Sequence, residues 1–359
     1  MPLIKITTID GVENGIYVND VQTYLGELPP ENIKVIKVSK CNLTVINNLS
    51  RFTNLRILDC SFNVLTSLPS LPKSLAELDC YNNRLTTLPV LPERLRWLFC
   101  SSNQLTSLPV LPKWLITLSC SHNQLTSLPE LPKSLEWLSC KNNQLTTLPE
   151  LPDSLEELDC DHNQLAFLPT LPESLSRLIC QYNQLTSLPV LPESLRKLDC
   201  SQNELTSLPT LPESLECLDC DYNQLTTLPE LPDSLGNLYC SQNVLTSLPT
   251  LPESLEYLYC SQNQLTTLPE LPDSLENLDY HDNPIYDIIE VLVDDADDIS
   301  IVRRTINTLN RFKHLYYRLK FKLKFIQWFL RANETKIMEE NHPDKITALL
   351  ASGVDVLDL

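Results

Sequence analysis

The sequence predicts an α/β solenoid: short parallel strands stacked along a concave inner face, an extended, polyproline-like outer side, and a helical C-terminal cap. Three observations carry that expectation. A 20-residue unit recurs from Leu55 to Leu275. Cys60, Cys80, Cys100 and onward to Cys260 keep the same 20-residue step. All but the last of these units also carry a Leu-Pro-x-Leu-Pro run such as Leu88-Pro89-Val90-Leu91-Pro92, where two fixed φ angles and two missing donors rule out a helix.

One unit runs from Leu75 to Arg94. Its segment Glu77-Leu78-Asp79-Cys80-Tyr81 alternates polar and apolar residues, which predicts a strand with Leu78 and Cys80 turned inward. Asn83 follows, and its amide is expected to bond the turn backbone and the neighbouring unit, in a ladder from Asn63 to Asn283. Twelve units start at Leu55 through Leu275. A less regular one precedes them, with Ile33, Ile36, Val38, Leu43 and Ile46, and with Cys41 where the others carry Asn. The expected organisation is an N-terminal cap over residues 1–32, thirteen units over 33–288 and a helical region over 289–359.

Composition narrows the function. The net charge is −19, and residues 55–284 hold 29 acids against 11 bases. An acidic body disfavours nucleic-acid backbones at the repeats and favours a basic partner or simple solubility. No apolar run is long enough for a membrane span, and Met1 to Gly15 does not read as a signal peptide, so a cytoplasmic location is expected. One cysteine per unit at one position reads as a column of small buried hydrophobes rather than a metal or disulfide framework.

The pattern Leu-x-x-Leu-x-Cys-x-x-Asn-x-Leu-x-x-Leu-Pro-x-Leu-Pro resembles the short bacterial class of leucine-rich repeats, which secreted effectors of enteric pathogens carry. The cysteine in the strand and the near-identity of the units are still more similar to leucine-rich-repeat proteins of giant amoeba viruses of the mimivirus type. The resemblance implies protein binding, with host proteins as the targets. Cys217-Leu218-Asp219 matches the Cys-x-Asp signature of the ubiquitin-ligase domain that follows such repeats in effectors. Here it lies on a repeat strand, and residues 285–359 contain no cysteine, so no enzymatic activity is expected.

Outward positions vary while the core positions do not. Trp97, Phe99 and Trp137 define an early aromatic zone. Asp159, Asp199 and Asp219, with Glu156, Glu157, Asp161 and Asp221, define an acidic centre. Tyr239, Tyr257 and Tyr259 define a late aromatic zone, with Tyr222 nearby. Exposed Trp and Tyr on a sheet are the material of binding hot spots, although such rings also pair across strands to stabilise it. The expected partner is therefore a protein. No cofactor is implied: His122 and His162 sit two units apart, and no glycine-rich phosphate loop occurs.

The C-terminal region differs in kind. Residues 301–331 carry nine Lys or Arg and no acid, with Phe312, Tyr316, Leu319, Leu323, Ile326 and Leu330 along one helical face. A cap on the last unit is the principal expectation. The alternatives are an adaptor that contacts a membrane or nucleic acid through this helix, or the recognition half of an enzyme whose catalytic part is absent.

Overall fold

The computed structural model describes residues 3–18, 20–292 and 298–311. It is a solenoid built on one 15-stranded sheet. Strands β1 (Leu3–Thr8) and β2 (Glu13–Tyr17) form an antiparallel hairpin, and β1 pairs antiparallel with β3 (Ile33–Lys37). From β3 the sheet is parallel, through β4 (Ile57–Asp59) to β15 (Asn277–Asp279), with equivalent residues in register. The strands are three residues long rather than the five that alternation suggested. The residue at column 82 stops each one by taking a left-handed backbone: φ is 52° at Phe62, 50° at Tyr182 and 53° at Tyr222.

Burial follows the predicted alternation. Leu78 and Cys80 are fully buried, as are their equivalents through Leu258 and Cys260. Between units the backbone ladder continues past the strand, with Cys80 N donating to Phe99 O at 2.8 Å. The outer path carries no helix, in line with its proline pairs.

The asparagine ladder forms as expected. Asn163 Oδ1 accepts from Leu145 N at 3.0 Å. Its Nδ2 faces Cys140 O, Cys160 O and Asp161 O at 3.0–3.1 Å. One amide thus ties two units together. A second column, of serines on the outer side, was not foreseen. Ser174 Oγ donates to Leu155 O at 2.7 Å, and Ser134, Ser154 and Ser194 repeat that bond one unit away each. Arg94 and Trp114 interrupt this column.

Both ends are finished with other elements. Helix α1 (Val21–Glu27) starts at Asp20, whose carboxylate accepts from Gln22 N and Thr23 N, and it buries Val21 and Leu25. At the far end Tyr280 takes the place of the cysteine and fills the last core position with a buried ring. Helix α2 (Pro284–Leu292) buries Ile285 and Ile289 there. Residues 299–311 are also helical and bury Val302 and Ile306, while Asn307 bonds both N and O of Leu271 at 2.9 and 3.2 Å. This is the expected cap. The expected helical face from Phe312 to Leu330 lies outside the described residues.

Burial decides the chemistry of the cysteine column. Desolvation raises every thiol from Cys60 to Cys260, with Cys120 pushed up to about 12. A native-state thiol-labelling experiment is expected to modify Cys217, the one half-buried cysteine, well ahead of the other twelve, which react only on unfolding. Equal labelling of all of them in the folded state would contradict this packing.

Candidate binding face

The concave face is made by the side chains at columns 77, 79 and 81 of each unit, flanking the inward Leu and Cys. Register places Trp97 beside Glu77 and Thr117, and Trp137 beside Thr117 and Glu157. The early aromatic zone is therefore looser than a cluster. Trp97 and Phe99 share one strand, with Trp97 37% exposed, and Trp137 stands two strands on. Trp137 is half-buried and its Nε1 donates to Glu157 Oε2 at 3.2 Å, which holds the indole across the strand pair.

The late aromatic zone is tighter. Tyr239 and Tyr259 stack with ring centroids 5.1 Å apart and planes inclined 17°. Tyr257 shares a strand with Tyr259, and all three are half-buried. Stacked rings of this kind stabilise the sheet and present a rigid apolar surface together. Tyr222, next to this zone, is exposed and takes the left-handed residue position.

The acidic centre needs the largest correction. Asp199 is only 9% exposed, and Asp161 is buried as well, so neither is freely displayed. Each Asp at column 79 accepts from the backbone N–H two residues on. The distances are 3.4 Å from Asp159 to Asp161 N, 3.2 Å from Asp199 to Ser201 N and 3.1 Å from Asp219 to Asp221 N. This local turn bond draws the carboxylate toward the strand end. Asp159 also faces Lys141 Nζ at 3.8 Å. One Asp161 oxygen is buried without a hydrogen bond, with His162 Nδ1 3.5 Å away.

Crowding leaves these carboxyls hard to ionise. Burial first, then the neighbouring Asp199, pushes Asp219 up to about 6. Burial and Asp219 push Asp221 up to about 7. Lys197 beside Asp219 offsets only part of this. Cys217 sits in the same stretch. Lys197, its partner on the next strand, and Arg177 both lie close enough to lower its pKa, yet burial outweighs them and the thiol is raised. It is therefore a poor nucleophile.

His162 stacks on Tyr182 with centroids 4.1 Å apart. Among the described residues no group of three or more His, Cys, Asp or Glu is placed to hold a metal ion. None of the described helices is long and apolar enough to cross a membrane.

The sequence reading missed one surface. On the outer side Val90 and Val110 are 87% exposed and Trp114 is 52% exposed, with Lys113 Nζ 5.3 Å from the Trp114 ring centre. A groove of about 730 Å³ opens at Val90, lined among others by Leu71, Lys73 and Arg94. The legible signal was the break in the serine column at Arg94 and Trp114.

The chain matches a family model described as Leucine Rich Repeat over residues 154–178 and 254–278. Among solved structures it is similar to YopM from Yersinia enterocolitica WA-314. The identity is 44% over 67% of this chain and 53% of that one, with a TM-score of 0.66. This chain thus spans about half the length of that relative. It is also similar to YopM, a leucine-rich effector protein from Yersinia pestis, at 33% identity over 69% of this chain and 88% of that one, with a TM-score of 0.45. A third likeness is the functional domain of InlJ from Listeria monocytogenes, which includes a cysteine ladder. It is 25% identical over 66% of this chain and 64% of that one, with a TM-score of 0.51. No curated protein matches the chain.

Proposed function

The chain is a leucine-rich-repeat protein, and from that premise we propose that it is a non-enzymatic scaffold that holds another protein against its concave face. The observation that carries this reading is the stacked Tyr239–Tyr259 pair on the same sheet face as the exposed Trp97. Rigid aromatics of this kind dominate binding energies. We take residues 33–288 as the binding unit, with 1–32 and 289–359 as its ends. Residues 135–284 hold 24 acids against four bases, which fits a partner with a basic surface. A host protein as the partner, and a cytoplasmic setting for both, rest on the likeness to effector and giant-virus repeats.

The test uses proximity labelling in a host cell to find the partner, then titration calorimetry with the purified pair. Tyr239→Ala with Tyr259→Ala, and separately Trp97→Ala with Trp137→Ala, is expected to weaken binding by about 30-fold or more for at least one pair. Circular dichroism should stay unchanged. The outer-side control Val90→Ser with Val110→Ser should bind normally. Unchanged affinity in both concave variants, with loss in the control, would overturn the reading.

A further inference from the structure

The two ends of the sheet are finished differently. β15 is followed by α2 and the 299–311 helix, which bury the last core positions. β2, at the other end, is an edge strand among the described residues: all five of its residues are exposed, and of the described strands it pairs only with β1. Edge strands are usually blunted with Lys, Pro or a bulge. The sequence Glu13-Asn14-Gly15-Ile16-Tyr17 has none of these and carries one charge. Around it Ile9, Val12, Ile16 and Tyr17 are exposed, Tyr17 at 65%.

The pairing of β1 with β2 shows which backbone groups face outward. Thr8 N donates to Val12 O at 3.1 Å, and the register pairs Ile6 with Asn14 and Ile4 with Ile16. Hydrogen-bonded pairs alternate in an antiparallel ladder, so Asn14 and Ile16 bond inward to β1. The N–H and C=O of Glu13, Gly15 and Tyr17 therefore point away from the sheet.

We propose that this edge is a self-association surface on which two copies join β2 to β2, antiparallel, across a two-fold axis at Gly15. That register brings the three outward-facing residues into bonded pairs: Gly15 with Gly15 of the second copy, and Glu13 with Tyr17 on either side. Six backbone hydrogen bonds result. Glu13 meets a tyrosine rather than a second carboxylate. A two-fold axis normal to the sheet keeps both buried faces on one side, so the two solenoids form one continuous sheet.

Charge selects a second copy at this end. Residues 1–134 carry 12 bases and 10 acids, whereas residues 135–284 carry four bases and 24 acids. Two chains of net charge −19 repel most where the acids lie, and this near-neutral end is where they can approach. The inference does not depend on the proposed partner-binding function.

Light scattering of the full chain at high micromolar concentration is expected to give twice the 40.9 kDa chain mass. Gly15→Pro removes an N–H that serves only the second copy and should return the chain to its single mass. Gly15→Cys in a Cys217→Ser background should cross-link to a covalent dimer with a short bismaleimide, because the axis sets the two positions opposite each other and only Leu3 Cδ1, at 3.7 Å, lies near the added Cβ. A monomeric parent chain, a dimer that persists in Gly15→Pro, or a Gly15→Cys chain that fails to cross-link would each overturn the proposal.

Discussion

Asn163→Ala is expected to lower the unfolding free energy by about 3 kcal/mol or more, a large share of any domain's stability. The side chain is buried and satisfies both units it touches. Its loss leaves Leu145 N without an acceptor, while Cys140 O and Cys160 O each lose one donor and keep another, from Asn143 and Asn183. The unpaired buried N–H costs about 1–3 kcal/mol, and each bond lost at the two carbonyls adds about 1 kcal/mol. Gln164→Ala, one residue on and exposed, is the matched control, with an expected change within about 0.5 kcal/mol. Urea unfolding followed by circular dichroism measures both. A change below about 1 kcal/mol at Asn163 would mean that the ladder does not hold the units together.

Much of the fold was legible because the repeat makes one short-range pattern decisive twelve times over. Period-two alternation places Leu78 and Cys80 inward, and the proline pairs exclude outer helices. The left-handed residue was not legible. That conformation favours Gly or Asn, yet the column contains Phe62, His122, Tyr182 and Gln202. Its cost is offset by bonds to the next unit, such as Phe62 N to Tyr81 O at 2.8 Å, which only stacking supplies. The candidate face was legible in position but not in freedom. Alternation turns Asp199 outward, while its turn bond to Ser201, a contact with the hydroxyl as well as the N–H, folds it back. Nothing in column spacing reveals that a carboxylate is also a local cap. Asp159, Asp199 and Asp219 thus have structural work apart from any partner, whereas Tyr239, Tyr257 and Tyr259 are half-buried, with Tyr239 and Tyr259 stacked.

Asp221→Asn is expected to stabilise the fold above neutral pH, by about 1 kcal/mol after allowance for solvent screening of these partly exposed groups. The native pKa values are about 6 for Asp219 and about 7 for Asp221, both raised from an ordinary 3.8. A carboxyl whose pKa rises on folding favours the folded state while it is protonated. That contribution is fully present below about pH 4 and is lost as pH climbs through the native values. Stability should therefore fall between about pH 4 and 7 in the parent chain, and the fall should be shallower in Asp221→Asn. The asparagine keeps an oxygen for Ser241 N, which Asp221 holds at 2.6 Å, so the substitution removes charge and little else. Urea midpoints at acid and alkaline pH test this, and equal slopes in the two proteins would sink it. The same variant probes function from the opposite side. A cationic side chain placed between Asp199, Asp219 and Asp221 would be attracted most strongly once these groups ionise, so Asp221→Asn should stabilise the free chain while weakening a basic partner. Both effects trace to the same carboxylates, held off their charged form first by burial and then by one another, a penalty that a bound cation would relieve.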